Sequence, residues 1–325
     1  MVANRPEENA VRVFVAGASG AVGSRLVRLL ISAGHSVVGL THTPDKAVAI
    51  RAAGAEVAIG DAFNRAAVVE AVAIAKPDVI VHEMTSLSAA NDLRKFDQSF
   101  VLTNRLRTEG LINLLAAAKQ AGTPRILAQS FCGWPYARIG GPVKSEDDPL
   151  DPAPPRNMRQ TLNAIRYLEN TLTASSDIEG VVLRYGAFYG DKTGLFDGPT
   201  IDQVRYRRVP LIGNGNGWWS FVHIDDAAAA TAIAVERGAQ GIYNIVDDEP
   251  APVREWLPAL ADMLGAKAPW CLPKFLARIA AGEPIVTLMT EARAGSNAKA
   301  KRDFCWQPAH PSWRQGFLEV LSQSA

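Results

Sequence analysis

A chain of 325 residues with 48% apolar and 21% charged content has material for a sizeable core, in one large domain or two intimately joined ones. Its 34 basic and 33 acidic residues leave a formal charge of +1, which excludes the electrostatic footprint of a nucleic-acid or anionic-membrane binder. Three widely spaced cysteines, Cys132, Cys271 and Cys305, and five histidines without ligand spacing argue against a disulfide framework and a metal centre, so a reducing cytoplasm is expected.

Residues 1–10 read as a polar, flexible tail, and no apolar run is long and charge-free enough to span a bilayer. Residues 11–16 (VRVFVA) are β-rich. GASGAVG follows, and SRLVRLLISAG carries apolar residues at helical spacing up to Gly34. HSVVGL is the next strand, which completes a βαβ unit. AEVAIG, DVIVHE, RILAQS and GVVLRYG read as further strands. AAVVEAVAIA, TNRLRTEGLINLLAAAKQAG and residues 158–173 read as helices between them. This alternation predicts an α/β fold: a Rossmann-type, doubly wound parallel sheet covered by helices on both faces. HIDDAAAATAIAVERG and GIYNIV read as a helix and strand returning to it. The expected division is a dinucleotide-binding domain of residues 11–190 plus 221–248. A smaller, discontinuous, mostly helical C-terminal substrate domain takes 191–220 plus 249–325, its helices broken by prolines that include Pro258.

Gly17, Gly20 and Gly23 lie between the first strand and the first helix. They suit a tight turn, close backbone approach to a pyrophosphate and helix–strand packing, with Ser19, Ala21 and Val22 completing the loop. The helix N-terminus offers free N–H groups to phosphates. The second strand ends in Thr41, His42 and Thr43, where an NAD-binding chain usually carries an acid roughly 20 positions after the glycines. That points to NADP, with NAD as the alternative. His42 and Lys46 are candidate partners of a 2′-phosphate, or members of a solvated loop. Asp61 and Ala62 stand where the adenine end is received, although Asp61 also suits a helix N-cap.

With these motifs, and with DVIVH, ILAQS, LRYGAFYG, SFVHIDDAAAA and GIYNIVDDEP, the chain resembles the short-chain dehydrogenase/reductase superfamily, in its extended or atypical epimerase/dehydratase branch, over residues 11–320. The resemblance implies a catalytic Ser or Thr after the fifth strand and a Tyr-x-x-x-Lys on the next helix. Ser130 fits the first. Counting back from Glu169 sets Thr161 at the tyrosine and Ile165 at the lysine. Tyr136 is followed at the fourth place by Gly140, and Tyr167 by Thr171.

A lysine lowers a tyrosine's pKa from about 10 towards neutrality; isoleucine does not. Ser130 is therefore expected to polarise a substrate oxygen, with Tyr136 or Thr161 as a replacement donor. Trp134, Tyr185, Trp218 and Trp219 are candidate walls of the substrate cleft, and RYRR at 205–208 reads as a solvated helix face. The expected function is an NADP-dependent reductase of a carbonyl or activated double bond in a small organic molecule. A nucleotide-sugar epimerase or dehydratase and a non-catalytic NADP(H)-sensing protein are the alternatives. Oligomeric state is open, a homodimer being frequent in the family.

Overall fold

The computed structural model describes residues 10–86, 92–191, 193 and 198–323, so all but the last residue of the expected tail lies outside it. Seven strands form one sheet: β1 Arg12–Ala16, β2 Ser36–Thr41, β3 Glu56–Ile59, β4 Val79–His82, β5 Arg125–Phe131, β6 Glu179–Tyr185 and β7 Gly241–Ile245. Their order is β3-β2-β1-β4-β5-β6-β7, and every neighbouring pair is parallel. Strands such as β4, buried along their whole length and apolar up to His82, have this character because helices cover both faces.

On one face, Leu26, Val27 and Leu30 of α1 (Ala21–Ser32) and Ala227, Ala230 and Ala234 of α6 (Ile224–Glu236) pack on Val13, Val15, Val81 and Leu183. On the other face lie α3 (Arg65–Ala75), α4 (Leu111–Ala121) and α5 (Arg159–Thr173), over Phe14, Ile80, Ile126 and Val182. Helix α2 (Pro44–Ala52) follows β2. The strand order reverses beside β1, and there the carboxyl ends of β1 and β4 open the crevice in which doubly wound folds bind ligands.

The long helix expected over 103–122 is interrupted. Val101–Arg105 is α-helical, Leu106–Gly110 is a π turn, and α4 then runs to a left-handed Gly122 cap. The wider turn directs Leu106, Arg107 and Gly110 inward.

A second core gathers Tyr189, Ile201, Phe221, Trp256, Leu257, Val286, Trp313 and Phe317. Pro258 sits inside the helix Val253–Met263 rather than ending it. Its neighbours Trp256, Leu257, Leu260 and Ala261 are buried in that core, which offsets the ~3 kcal/mol that an interior proline costs. The segment Ala298–Phe304 returns to the first core through Ala300 and Phe304. Among the described residues, no helix is long and apolar enough to cross a membrane.

Candidate active site

The glycine loop has the shape its residues dictate. Gly17 adopts a φ of +97°, and a Cβ there would stand 2.7 Å from the Glu83 carbonyl carbon and oxygen. A Cβ on Gly23 would fall 2.1 Å from the Gly17 oxygen. Gly20 caps α1 without a side-chain hydrogen bond, and the first turn of α1 carries no acid. The opening amides of α1, with Ser19, Ala21 and Val22 around them, carry no acidic side chain in their own turn, which suits a dinucleotide pyrophosphate.

At the end of β2, Thr41 is buried and its Oγ1 accepts from the Thr43 amide at 3.2 Å. His42 and Lys46 are exposed. Asp61 Oδ1 accepts from the Phe63 amide at 3.0 Å, whereas Asn64 caps α3, so Asp61 shapes the turn and is not the cap. Asn113 Nδ2 holds the Ala62 carbonyl at 2.8 Å, and the Arg105 guanidinium lies 4.2 Å over the Phe63 ring.

Ser130 sits at the end of β5, nearly buried, and its hydroxyl donates to Glu169 Oε1 at 2.7 Å. Arg184 of β6 meets the same carboxylate twice, Nε to Oε1 at 2.8 Å and Nη2 to Oε2 at 2.6 Å. Burial works against the Arg184 charge, but the hydrogen bonds and charge of Glu169 more than offset it and hold its pKa up.

Three expected site residues are placed elsewhere. Tyr136 is fully buried; its hydroxyl donates to Asn244 Oδ1 at 2.7 Å and accepts from Arg184 Nη1 at 2.9 Å. Burial raises its pKa far above the ordinary phenol value, and its one hydroxyl hydrogen is committed to Asn244. Thr161 is also buried. Its amide and Oγ1 both donate to Asp97 Oδ1, at 2.9 and 2.7 Å, and Asn104 Nδ2 donates to its oxygen at 3.0 Å. It anchors the start of α5. Tyr185 points into the first core, its hydroxyl 2.8 Å from Glu83 Oε1 and 2.6 Å from Thr231 Oγ1, and so walls no substrate cleft. Ile165 packs with Phe96, Trp134, Met158, Leu162 and Ala292.

The tryptophans do converge. Trp134, Trp218 and Trp219 line one apolar pocket with Phe131, Leu288 and Ala292. Trp219 Nε1 donates to the Leu288 carbonyl at 2.9 Å, which fixes its ring. A roomier neighbouring cleft is lined by Arg138, Asp151, Glu291 and Arg293. Arg138 there already pairs with Asp151 at 2.9 Å and with Glu291 at 2.7 Å.

Two residues escaped the sequence reading. Glu83 follows β4 beneath the glycine turn, and burial pushes its carboxyl up to about 8 despite the Tyr185 hydrogen bond. Arg107, on the π turn, is buried, and among the described residues it has no carboxylate within ion-pair distance. The signal for Glu83 was an acid closing an otherwise apolar strand; for Arg107 there was none at helical spacing.

The sequence profile of the NAD dependent epimerase/dehydratase family matches residues 13–246. The chain belongs to that family. It is similar, at 43% identity over 94% of this chain and 99% of the relative, to a 3-diazoavenalumate denitrifying reductase of a Streptomyces species. It is 30% identical over 79% of this chain to a quinoline-1-oxide ketoreductase of Stigmatella aurantiaca, covering 75% of that protein. A Streptomyces venezuelae dTDP-glucose 4,6-dehydratase with NAD bound shares the fold at a TM-score of 0.74 and 20% identity, over 96% of each chain. The Thermus thermophilus UDP-glucose 4-epimerase with NAD does so at 0.72 and 23%, over 96% of this chain and 98% of that one. The protein is an oxidoreductase of the short-chain dehydrogenase/reductase type.

Proposed function

We propose that the protein is an NADP(H)-dependent reductase that works on an aromatic small molecule without the tyrosine–lysine proton relay. Gly17, Ser19, Gly20, Ala21, Val22 and Gly23 hold the pyrophosphate, Asp61 and Ala62 stand at the adenine end, and exposed His42 and Lys46 meet a 2′-phosphate. No acid closes β2 to repel that phosphate. When bound, the cofactor supplies a hydride.

The observation that carries this reading is the burial of Thr161 on Asp97 and of Ile165 among apolar side chains, at the two positions set for proton transfer. Ser130 commits its hydrogen to Glu169. The site is therefore suited to a substrate that accepts hydride without needing a proton on oxygen.

A diazo compound of the kind named for the Streptomyces relative is such a substrate. A diazonium carbon that takes up hydride loses dinitrogen together with the electron pair of its C–N bond. No alkoxide forms. Trp134, Trp218 and Trp219 line an apolar slot of about 40 Å³, smaller than a planar ring, which must widen to admit one. The ketoreductase relative favours a second reading, ketone reduction with solvent as acid. General acid catalysis contributes about 10²–10⁴-fold, so that reaction is slowed rather than forbidden.

The cofactor half is tested by calorimetric titration of the cofactor-free protein. NADPH is expected to bind more tightly than NADH, and the difference to shrink in H42A/K46A. NADH binding more tightly contradicts it.

A further inference from the structure

Arg107 is the buried cation that the family pattern leaves unexplained. It is 8% exposed and lies on the π turn Leu106–Gly110. Among the described residues its one side-chain hydrogen bond runs from Nη1 to Asn104 Oδ1 at 3.2 Å, and Nε is buried without a partner. The other buried arginines have carboxylate partners, although Nε of Arg125 is likewise unpartnered. Arg184 grips Glu169, and Arg125 pairs with Glu179 at 2.6 Å and reaches the carbonyls of Ala234, Arg237 and Gly238. Among the described residues, no carboxylate comes within ion-pair distance of Arg107. A cation left this way in a protein interior costs several kcal/mol unless something compensates. π turns interrupt helices frequently at functional sites.

Its surroundings say what compensates. A Cβ on Gly110 of the same turn would stand 3.6 Å from the Met84 methyl just past β4, and the Leu106 carbonyl meets His82 Nε2 at 3.0 Å. The turn therefore lies against the carboxyl end of β4, in the ligand crevice of the fold. Across from it, Asn104 links Arg107 to Thr161 of α5. The same helix sends Leu162 and Ile165 against Trp134 of the aromatic pocket. The charged and titratable groups facing the guanidinium are Glu169, held by Arg184 and Ser130, and His82, whose pKa burial lowers to about 4 and which is therefore neutral.

We infer that Arg107 is the anion-binding residue of the site and receives an ionised oxygen, phenolate or carboxylate, of the aromatic substrate. This deepens the reductase reading and rests on it for the identity of the pocket. A guanidinium is well suited to that role because it presents several N–H donors and stays charged at neutral pH. It stabilises an oxyanion electrostatically, with no proton passed, in a site whose tyrosine and lysine positions are threonine and isoleucine.

The probe is 4-nitrophenol, whose yellow phenolate reports its own ionisation. It is titrated spectrophotometrically against the whole protein, with and without NADP⁺. The wild type is expected to lower the probe's pKa by at least about one unit, a roughly tenfold preference for phenolate. R107Q is expected to bind NADP⁺ normally, to abolish the shift and to melt no lower than wild type, because an unpaired buried charge is gone. R107K, which keeps a cation, should retain part of the shift and covers the case in which R107Q fails to fold. A shift that persists in R107Q, or a wild type that does not bind the probe, overturns the inference. So does R107Q that loses NADP⁺ affinity while keeping the shift. Failure to bind NADPH sinks the reductase reading instead, and is measured separately.

Discussion

Ser130 donates its hydroxyl hydrogen to Glu169 Oε1 across 2.7 Å, and the same carboxylate is gripped by Arg184. The serine that the family uses on a substrate oxygen is thereby tied into a buried ion pair. Its one hydrogen is spent inside the protein. S130A is expected to lower kcat/KM less than about tenfold, short of the ~10²-fold or more that loss of an oxyanion donor costs, and to cost ~1–3 kcal/mol of stability for the lost charge-assisted bond. A much larger fall in kcat with stability unchanged would restore Ser130 to direct contact with the reacting oxygen.

Tyr136 completes that network from the other side. Y136F leaves Asn244 Oδ1 without a donor and Arg184 Nη1 without an acceptor. The expected result is ~1–3 kcal/mol of destabilisation in urea with turnover nearly intact. Collapse of turnover at unchanged stability would reinstate Tyr136 as a proton donor.

Glu83 makes stability depend on pH with a definite sign. Its carboxyl titrates at 4.5 when solvated and at about 8 in the fold. Between those values the folded protein holds a proton that the unfolded chain has released, so stability falls as pH rises through this window and levels off above it. E83Q removes the dependence. Its melting temperature should exceed that of wild type at pH 9 by clearly more than at pH 5. Parallel pH profiles for the two proteins would show that Glu83 is not the buried acid.

Restoring the family pair by substitution should fail on packing grounds. In T161Y/I165K the tyrosine does not fit where Thr161 holds Asp97, and the lysine enters the cluster of Phe96, Trp134 and Met158. Overpacking costs ~1–3 kcal/mol and an unpaired buried charge more. The variant is expected to melt far lower than wild type and to gain no carbonyl reductase activity. A well-folded variant with such activity would mean that the pair's space had been kept open.

How far the residues themselves announced this can be followed position by position. Gly17, Gly20 and Gly23 were readable because their role is local: a positive φ, a bare helix cap and a contact without a Cβ. The parallel sheet was readable because covered strands such as Val79–His82 are buried throughout and apolar up to His82. Trp134, Trp218 and Trp219 were grouped on aromatic character alone, and the fold sets them around one pocket. Tyr136 and Tyr185 were misjudged because a side chain's direction depends on partners distant in sequence: Asn244 and Arg184 for one, Glu83 and Thr231 for the other. Arg107 was missed because a π turn breaks the 3.6-residue count that separates buried from exposed helix positions.

The most direct test of hydride transfer without a proton relay is a single-turnover reaction with NADPH carrying deuterium at C4, in either configuration, and a hydroxyarenediazonium ion, compared with the same mixture lacking protein. The expected result is enzyme-dependent NADPH oxidation, release of dinitrogen, and one deuterium on the ring carbon that lost it. Product that takes this hydrogen from solvent, or NADPH oxidised no faster than without protein, would contradict it.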